Sequence, residues 1–293
     1  MNYVLQITQL LGINIILAAS LNVINGYCGL FSIGHAGFFA VGAYTSAAAS
    51  VLWFPGLAAS HPDLALLLVV GVGALSAALA GLVIGVPCLR LTGDYLAIAT
   101  VGFGEIIRIV LLNLESVGAS RGFPGIPLLT GARLPLWILF FTALSLLAMH
   151  RLIRSSTGRA IISVREDEIA AQSMGIDVRF YKIFAFVLGA FFAGLAGALF
   201  AHYSQFLHPS NFTFMNSVMI LLMIVVGGLG SQIGAVLGAI VVTLLPEVLR
   251  FNETLSGIRM LIFGAIMVLV VLIKPQGLMG LFHRRKKVGV TAV

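Results

Sequence analysis

No charged side chain occurs before Asp63, and no basic one before Arg90. A soluble fold cannot be built from such a start, because even soluble proteins draw only roughly 55–60% of their surface from apolar atoms and need polar groups for the rest. The remainder of the chain has the same character. Of its 293 residues 60% are apolar and 9% charged, against roughly 25% charged in an average soluble domain. The sequence therefore predicts an all-α, polytopic transmembrane helical bundle, one domain over residues 1–293.

The charge pattern excludes other classes. A secretory signal begins with positive charge, so the uncharged N-terminus is expected to be a retained span. The net charge of +7 could suggest nucleic acid, but the basic residues are spread over short loops and a tail without interleaved aromatics. Cys28 and Cys88 lie in apolar runs with neither CxxC nor Cys/His spacing, which supports no disulfide framework and no metal site.

A crossing needs about 20 apolar residues. Runs of that kind lie at Val4–Asn22, within Gly29–Phe54, and at Leu64–Leu89, Tyr95–Leu114 and Leu136–His150. Residues 151–182 then break the pattern: Arg151, Arg154, Arg159, Arg165, Arg179 and Lys182 stand with Glu166, Asp167, Glu168 and Asp177. Short loops rich in Lys and Arg stay cytoplasmic, so this loop and the basic tail 283–293, with Arg284, Arg285, Lys286 and Lys287, are expected on the inner side. An even number of crossings must separate them. Ile183–Ala201, Asn216–Leu249 and Ser256–Ile273 give three, but the middle run is too long for one passage and is interrupted by Gly227, Gly228, Gly230, Ser231 and Gly234. Hinging it there predicts nine crossings, N-out and C-in, with Arg250 and Glu253 outside, or eight if the second or a late segment is re-entrant.

The stretch from Asn25 to Tyr44 is rich in glycine, including Gly34 and Gly37. Glycine tolerates backbone that a continuous helix does not use, and irregular backbone at membrane depth must be buried in protein or line a polar cavity. A broken helix is expected here, with Gly227–Gly238 as its counterpart. Paired interruptions in two halves point to a translocation path built from repeats; the same small residues also suit plain close packing of helices. Asn25, Ser32 and His35 are candidate path-lining residues, His35 equally a hydrogen-bonded structural one.

Glu105 and Arg108 are three apart on a predicted helix and share a face, with Glu105 about ten residues from the inner surface and so near mid-membrane. An unpaired charge is costly there. The pair either gates the route of a zwitterion or locks two helices together. In the cytoplasmic loop, Glu166–Met174 reads as a short surface helix with early acids, a stop at Gly175 and an apolar strip of Ile169, Ala170 and Met174. It is a candidate docking element for a cytoplasmic partner, the alternative being a merely solvated connection. Neither GxxxxGK[ST] nor HExxH nor GxSxG occurs, so nucleotide binding of that kind and the usual intramembrane hydrolyses have no residues to carry them.

Four ordered motifs, Leu21–Tyr44, Gly93–Arg108, Gly227–Ser231 and Lys274–Leu278, make the chain resemble the M-type permease subunits of branched-chain amino acid ABC importers over nearly its whole length. That resemblance implies a heterodimer with an H-type permease subunit, two cytoplasmic ATPase subunits that hold ATP and Mg²⁺ while this chain binds no cofactor, and a periplasmic amino-acid-binding protein delivering Leu, Ile or Val. It implies residence in the bacterial inner membrane and no enzymatic activity of the chain itself. It also places ATPase coupling on Glu166, Asp167, Glu168, Ala170, Ala171 and Gly175, similar to the Glu-Ala-Ala-x-x-x-Gly motif of ABC importers but with Ile169 inserted after Glu168. Relatives of similar appearance carry urea or short amides. Two other classes stay open: an ion-coupled secondary transporter using Glu105 or Asp94, and a membrane enzyme with Asp94 and His35 as acid and base.

Overall fold

The structure, a computed structural model, describes residues 3–91, 93–250, 264, 277 and 278. Their regular structure is helical, with one isolated antiparallel bridge between Phe123 and Leu207. α1 (Tyr3–Leu21) continues through a π-helical turn, Asn22–Tyr27; α2 (His35–Ala48) continues through another, Ala49–Trp53. A short α3 (Pro55–Ser60) precedes α4 (Pro62–Cys88) and α5 (Asp94–Asn113), and an irregular loop leads to α6 (Leu134–Arg154). The charged loop holds α7 (Ser156–Glu166) and α8 (Glu168–Ser173), and α9 (Val178–Ser204), α10 (Phe214–Gly227) and α11 (Gln232–Arg250) follow. Among the described residues, seven helical stretches are long and apolar enough to cross a membrane: Tyr3–Tyr27, His35–Trp53, Pro62–Cys88, Asp94–Asn113, Leu134–Arg154, Val178–Ser204 and Gln232–Leu249. Phe214–Gly227 is apolar but shorter. The run 256–273 and the basic tail lie outside the described residues.

Contacts between helices fix their directions. On α4 and α9, Gly73 faces Ala198, Gly81 faces Ala190 and Gly85 faces Phe186, so the two run antiparallel. On α2 and α9, Phe38 meets Phe186 and Ser46 meets His202, so these run parallel. α1 opposes α11: Tyr3 donates to Glu247, Asn14 to Thr243, and Asn22 to the carbonyl of Ser231. Two ends result, one carrying the charged loop 151–182 (the loop end) and the other carrying Tyr3, Asp63 and the loop before α6 (the far end). Buried α9 is the centre of the bundle, and α2 and α4 approach it closely enough that a Cβ at Gly42 would collide with the backbone of Gly194. Side chains of lipid-solvated helices gain nothing from leaving water, so small residues that let backbones touch provide the attraction instead.

Helix boundaries differ from the sequence reading where charged or polar residues continue a helix past its apolar core. α9 begins at Val178, inside the charged loop, and α1 runs on past Asn22 to Tyr27, so Asn25 belongs to the end of the first helix. The break at Gly227–Ser231 is present, a turn between α10 and α11 with Gly228 and Gly230 at positive φ. A second irregular segment, from Gln205 to Thr213 between α9 and α10 with a 3₁₀ turn at Pro209–Phe212, fills the gap that the apolar runs leave between Ala201 and Asn216; that it mirrors the segment Cys28–Gly34 between α1 and α2 was not foreseen. The first enters from the loop end, where Gly29 lies on Arg165. The second enters from the far end, where Leu207 exchanges both backbone bonds with Phe123.

Candidate translocation path and docking face

Both segments are partly enclosed by protein: Leu30, Ser32 and Gly34 of the first and Leu207, Pro209 and Phe212 of the second are buried, while Phe31 and Phe206 are exposed. Asn25 holds the first one: its Nδ2 donates to Ser32 O at 3.0 Å while its Oδ1 accepts from Ser32 N at 3.3 Å. Thr100 on α5 supplies a further acceptor for Ile33 N, at 3.1 Å. His35 opens α2 fully buried, its Nε2 2.8 Å from Ser20 Oγ. Ser20 Oγ also lies within hydrogen-bond distance of Leu17 O, at 2.9 Å. His35 Nδ1 and the hydroxyl of Ser32 have no hydrogen-bond partner among the described residues. Gly34 and Gly37 bring this turn against Thr100 and Gly104 of α5.

The two glycine-rich stretches meet at the loop end. Asn22 Oδ1 accepts from Gly230 N at 2.9 Å and Asn22 Nδ2 donates to Ser231 O at 3.1 Å, so one amide side chain of α1 clamps the α10–α11 turn. Gly277 lies against the backbone of Gly227 and Gly228. Arg165, from the last turn of α7, donates through Nη1 to Gly26 O at 2.7 Å. Its aliphatic stem crowds the place of a side chain at Gly29, and its guanidinium stands 2.9 Å from where a Cβ at Gly230 would lie. Arg165 and Asn22 escaped the sequence reading because nothing local marks them: their partners lie 139 and 208–209 residues away.

Glu105 and Arg108 form the expected pair, Arg108 Nε to Glu105 Oε2 at 2.6 Å, half-buried. The other carboxylate oxygen accepts from Phe214 N at 3.3 Å, at the start of α10. The pair therefore ties α5 to α10.

A cavity of about 490 Å³ lies between α1, α10, α11 and the second non-helical segment. Its walls are mostly apolar, with Leu10, Ile13, Met219 and Ile220, and its polar groups are Asn14, Ser210, Asn211, Asn216 and Thr243 together with Glu247, which accepts the Tyr3 hydroxyl. None of the sequence candidates borders it. Polar side chains interrupting apolar runs, Asn14 and Thr243 above all, are the signal that would have found it.

In the charged loop the helix expected from Glu166 to Met174 is α8, shorter at both ends, Glu168–Ser173, with Glu166 closing α7 before it. Asp167 leaves helical geometry and its carboxylate caps α8, accepting from Ile169 N and Ala170 N at 2.9 and 3.0 Å. An aspartate can satisfy orphan amide donors only from outside the helix it starts, so Glu166 ends α7 instead of opening α8. Glu168 pairs with Lys182 of α9 at 2.5 Å, Ala171 is buried against the loop, and Gly175 takes the positive φ that ends the turn. Ile169 and Met174 stand 79% and 83% exposed, with Ala170 exposed between them.

The model of a family described as the permease component of branched-chain amino acid transport systems matches residues 3–271. The chain belongs to that family. It is 39% identical to the high-affinity branched-chain amino acid transport system permease protein LivM of Escherichia coli (strain K12), over 94% of this chain and 69% of that protein. To the probable branched-chain amino acid transport permease protein LivM of Methanocaldococcus jannaschii it is 26% identical, over 91% and 90% of the two chains. The corresponding permease LivH of Escherichia coli is 30% identical over 56% of this chain and 52% of its own. No solved structure matches the chain. Membership of a transport permease family accords with a multi-pass membrane protein and disfavours the enzyme reading.

Proposed function

We propose that the chain is one permease subunit of an ATP-driven importer of branched-chain amino acids, paired with an H-type permease and driven by two cytoplasmic ATPases that hold ATP and Mg²⁺. A periplasmic binding protein delivers the cargo. The observation that carries this reading is the form of the charged loop: an exposed apolar docking helix, α8, whose root touches the broken end of a transmembrane helix through Arg165. Family membership supplies the class of cargo.

In this reading the charged loop is cytoplasmic by the positive-inside rule and the N-terminus is periplasmic. The described helices alternate between the two ends. The apolar run 256–273 then supplies the return crossing that puts the basic tail inside, making nine in the inner membrane. Closure of the ATPases pushes on α8, and the permease halves rock between outward-open and inward-open states. The cavity at the far end, apolar with a few amide groups, suits a small zwitterion with a branched aliphatic side chain. Asn25, Ser32, His35, Glu105 and Arg108 hold the broken helices beside the path, and Gly34, Gly37, Gly227, Gly228 and Gly230 are the breaks that let them move.

Uptake of labelled leucine in cells expressing the full system, with and without its ATPase subunits, tests the proposal. Uptake is expected to vanish without them, and uptake that persists would favour ion coupling. Labelling of a cysteine placed at Gln172 is expected only from the cytoplasmic side. Competition by urea or short amides in place of leucine would move the cargo assignment within the family.

A further inference from the structure

Two positions before the α8 cap, Arg165 bonds to the first glycine break and lies against the second. We infer that Arg165 is the positioning residue that converts movement of α8 into movement of the broken helices, a role that rests on the importer reading above. Three observations converge on it. Its Nη1 donates to Gly26 O, a carbonyl near the end of the π-helical turn, where helical partners run out. Its stem lies against Gly29 in the first non-helical segment, and its guanidinium lies against Gly230 in the α10–α11 turn. Asn22 bonds that turn to α1, so all three elements are gathered around one side chain.

The mechanical argument follows from rigidity. α7 is joined to α8 by the single extended residue Asp167, so a displacement of α8 reaches Arg165 with little slack. A guanidinium is a planar fork of donors with a fixed direction, and the glycines around it leave backbone on each side with no side chain to deform. A shift of the fork therefore pulls Gly26 O or pushes the Gly230 turn. Gly26 stands one residue before the end of a π-helical turn and Gly230 in the break between two helices, and chain of this kind, at the ends of elements, absorbs conformational change most readily.

The test uses the complete importer, with its partner permease, ATPases and binding protein, reconstituted in proteoliposomes. Arg165→Gln is expected to co-purify with the ATPases and hydrolyse ATP at the basal rate, while leucine taken up per ATP falls at least tenfold. Arg165→Lys, which keeps one donor, is expected to recover part of that loss. A second pair guards against a folding defect. A Cβ at Gly29 would lie 3.4 Å from that of Arg165, within bridging distance of a disulfide. In a Cys28→Ala background, Gly29→Cys with Arg165→Cys is expected to be uncoupled when reduced, as Arg165→Gln is, and to recover uptake when the disulfide restores the link between α7 and the first broken helix. Wild-type coupling in Arg165→Gln, or uptake indifferent to the formed disulfide, overturns the role of Arg165 alone. A wild-type importer that transports without its ATPases overturns the importer reading, and this role with it.

Discussion

Glu105 caps a helix to which it does not belong. Its Oε1 accepts the amide of Phe214 at the start of α10, 109 residues away, while its Oε2 takes Arg108 at 2.6 Å. Thr213, at the N-cap position of α10, makes no side-chain cap of its own. The carboxylate thus serves two positive partners, a helix N-terminus and a guanidinium, and it neutralises its own charge in a place where an isolated one is costly.

Removing Glu105 should therefore cost more than removing the pair. Glu105→Ala loses the cap, about 1 kcal/mol, and leaves Arg108 without its acid. The double variant Glu105→Ala with Arg108→Ala loses the cap but strands no charge. Thermal unfolding of the detergent-solubilised chain is expected to rank the wild type above the double variant and the double variant above Glu105→Ala. Equal melting of the two variants would show that Arg108 finds another acceptor.

Close packing around α9 gives a sharper contrast. A Cβ at Gly42 would strike the backbone of Gly194, which cannot yield as a side-chain tip can. Gly71 on α4 has nothing within 4 Å of the same position. Gly42→Val is expected to lower stability by more than about 1–3 kcal/mol, the usual cost of overpacking. Gly71→Ala should be neutral or gain up to about 1 kcal/mol of helix propensity. Size-exclusion profiles after heating would separate them, and similar survival of both would contradict the tight α2–α9 contact.

What could be read in the residues was what depends on local chemistry. Apolar run lengths placed the long helices, the glycines between Met223 and Gly238 located the α10–α11 turn, and the spacing of Glu105 and Arg108 implied their pairing. What could not be read depends on long-range closure. Asp167 could as well continue a helix as cap one, and only the fold around Ala171 and Lys182 decides for the cap. The segment Gln205–Thr213 carries no glycine, so nothing flagged it as the mirror of Cys28–Gly34; its shape comes from the bridge between Leu207 and Phe123. Arg165 looked like one more solvated cation of the loop.

The exposed strip on α8 should matter for docking and not for folding. Ile169 and Met174 touch little within the chain, so Ile169→Asp with Met174→Asp is expected to leave membrane insertion and melting unchanged. Burial of such side chains against a partner stabilises by about 1.5–3 kcal/mol each, so affinity for the ATPases should fall at least tenfold. Pull-down of the ATPases on the tagged permease measures this, with leucine uptake falling in step. Undiminished pull-down would place docking elsewhere on the loop.

The cavity between α1, α10 and α11 offers the remaining discrimination, because one residue of its wall, Met219, stands at the edge of the core and not inside it. Met219 borders it only partly buried, and a larger ring there would project into about 490 Å³ of space instead of into a neighbour. If cargo passes through this space, Met219→Trp should reduce leucine uptake at least tenfold while the amount of assembled complex and its basal ATP hydrolysis stay the same. Thr243→Val tests the polar side: it leaves Asn14 Nδ2 without its 2.9 Å acceptor yet keeps the volume, so any loss it causes reports on polarity and not on bulk. Leu79→Trp, an exposed position on α4 that does not border the cavity, controls for bulk alone. Normal uptake in Met219→Trp would mean that the cargo crosses along another face of the chain, the one turned to the second permease.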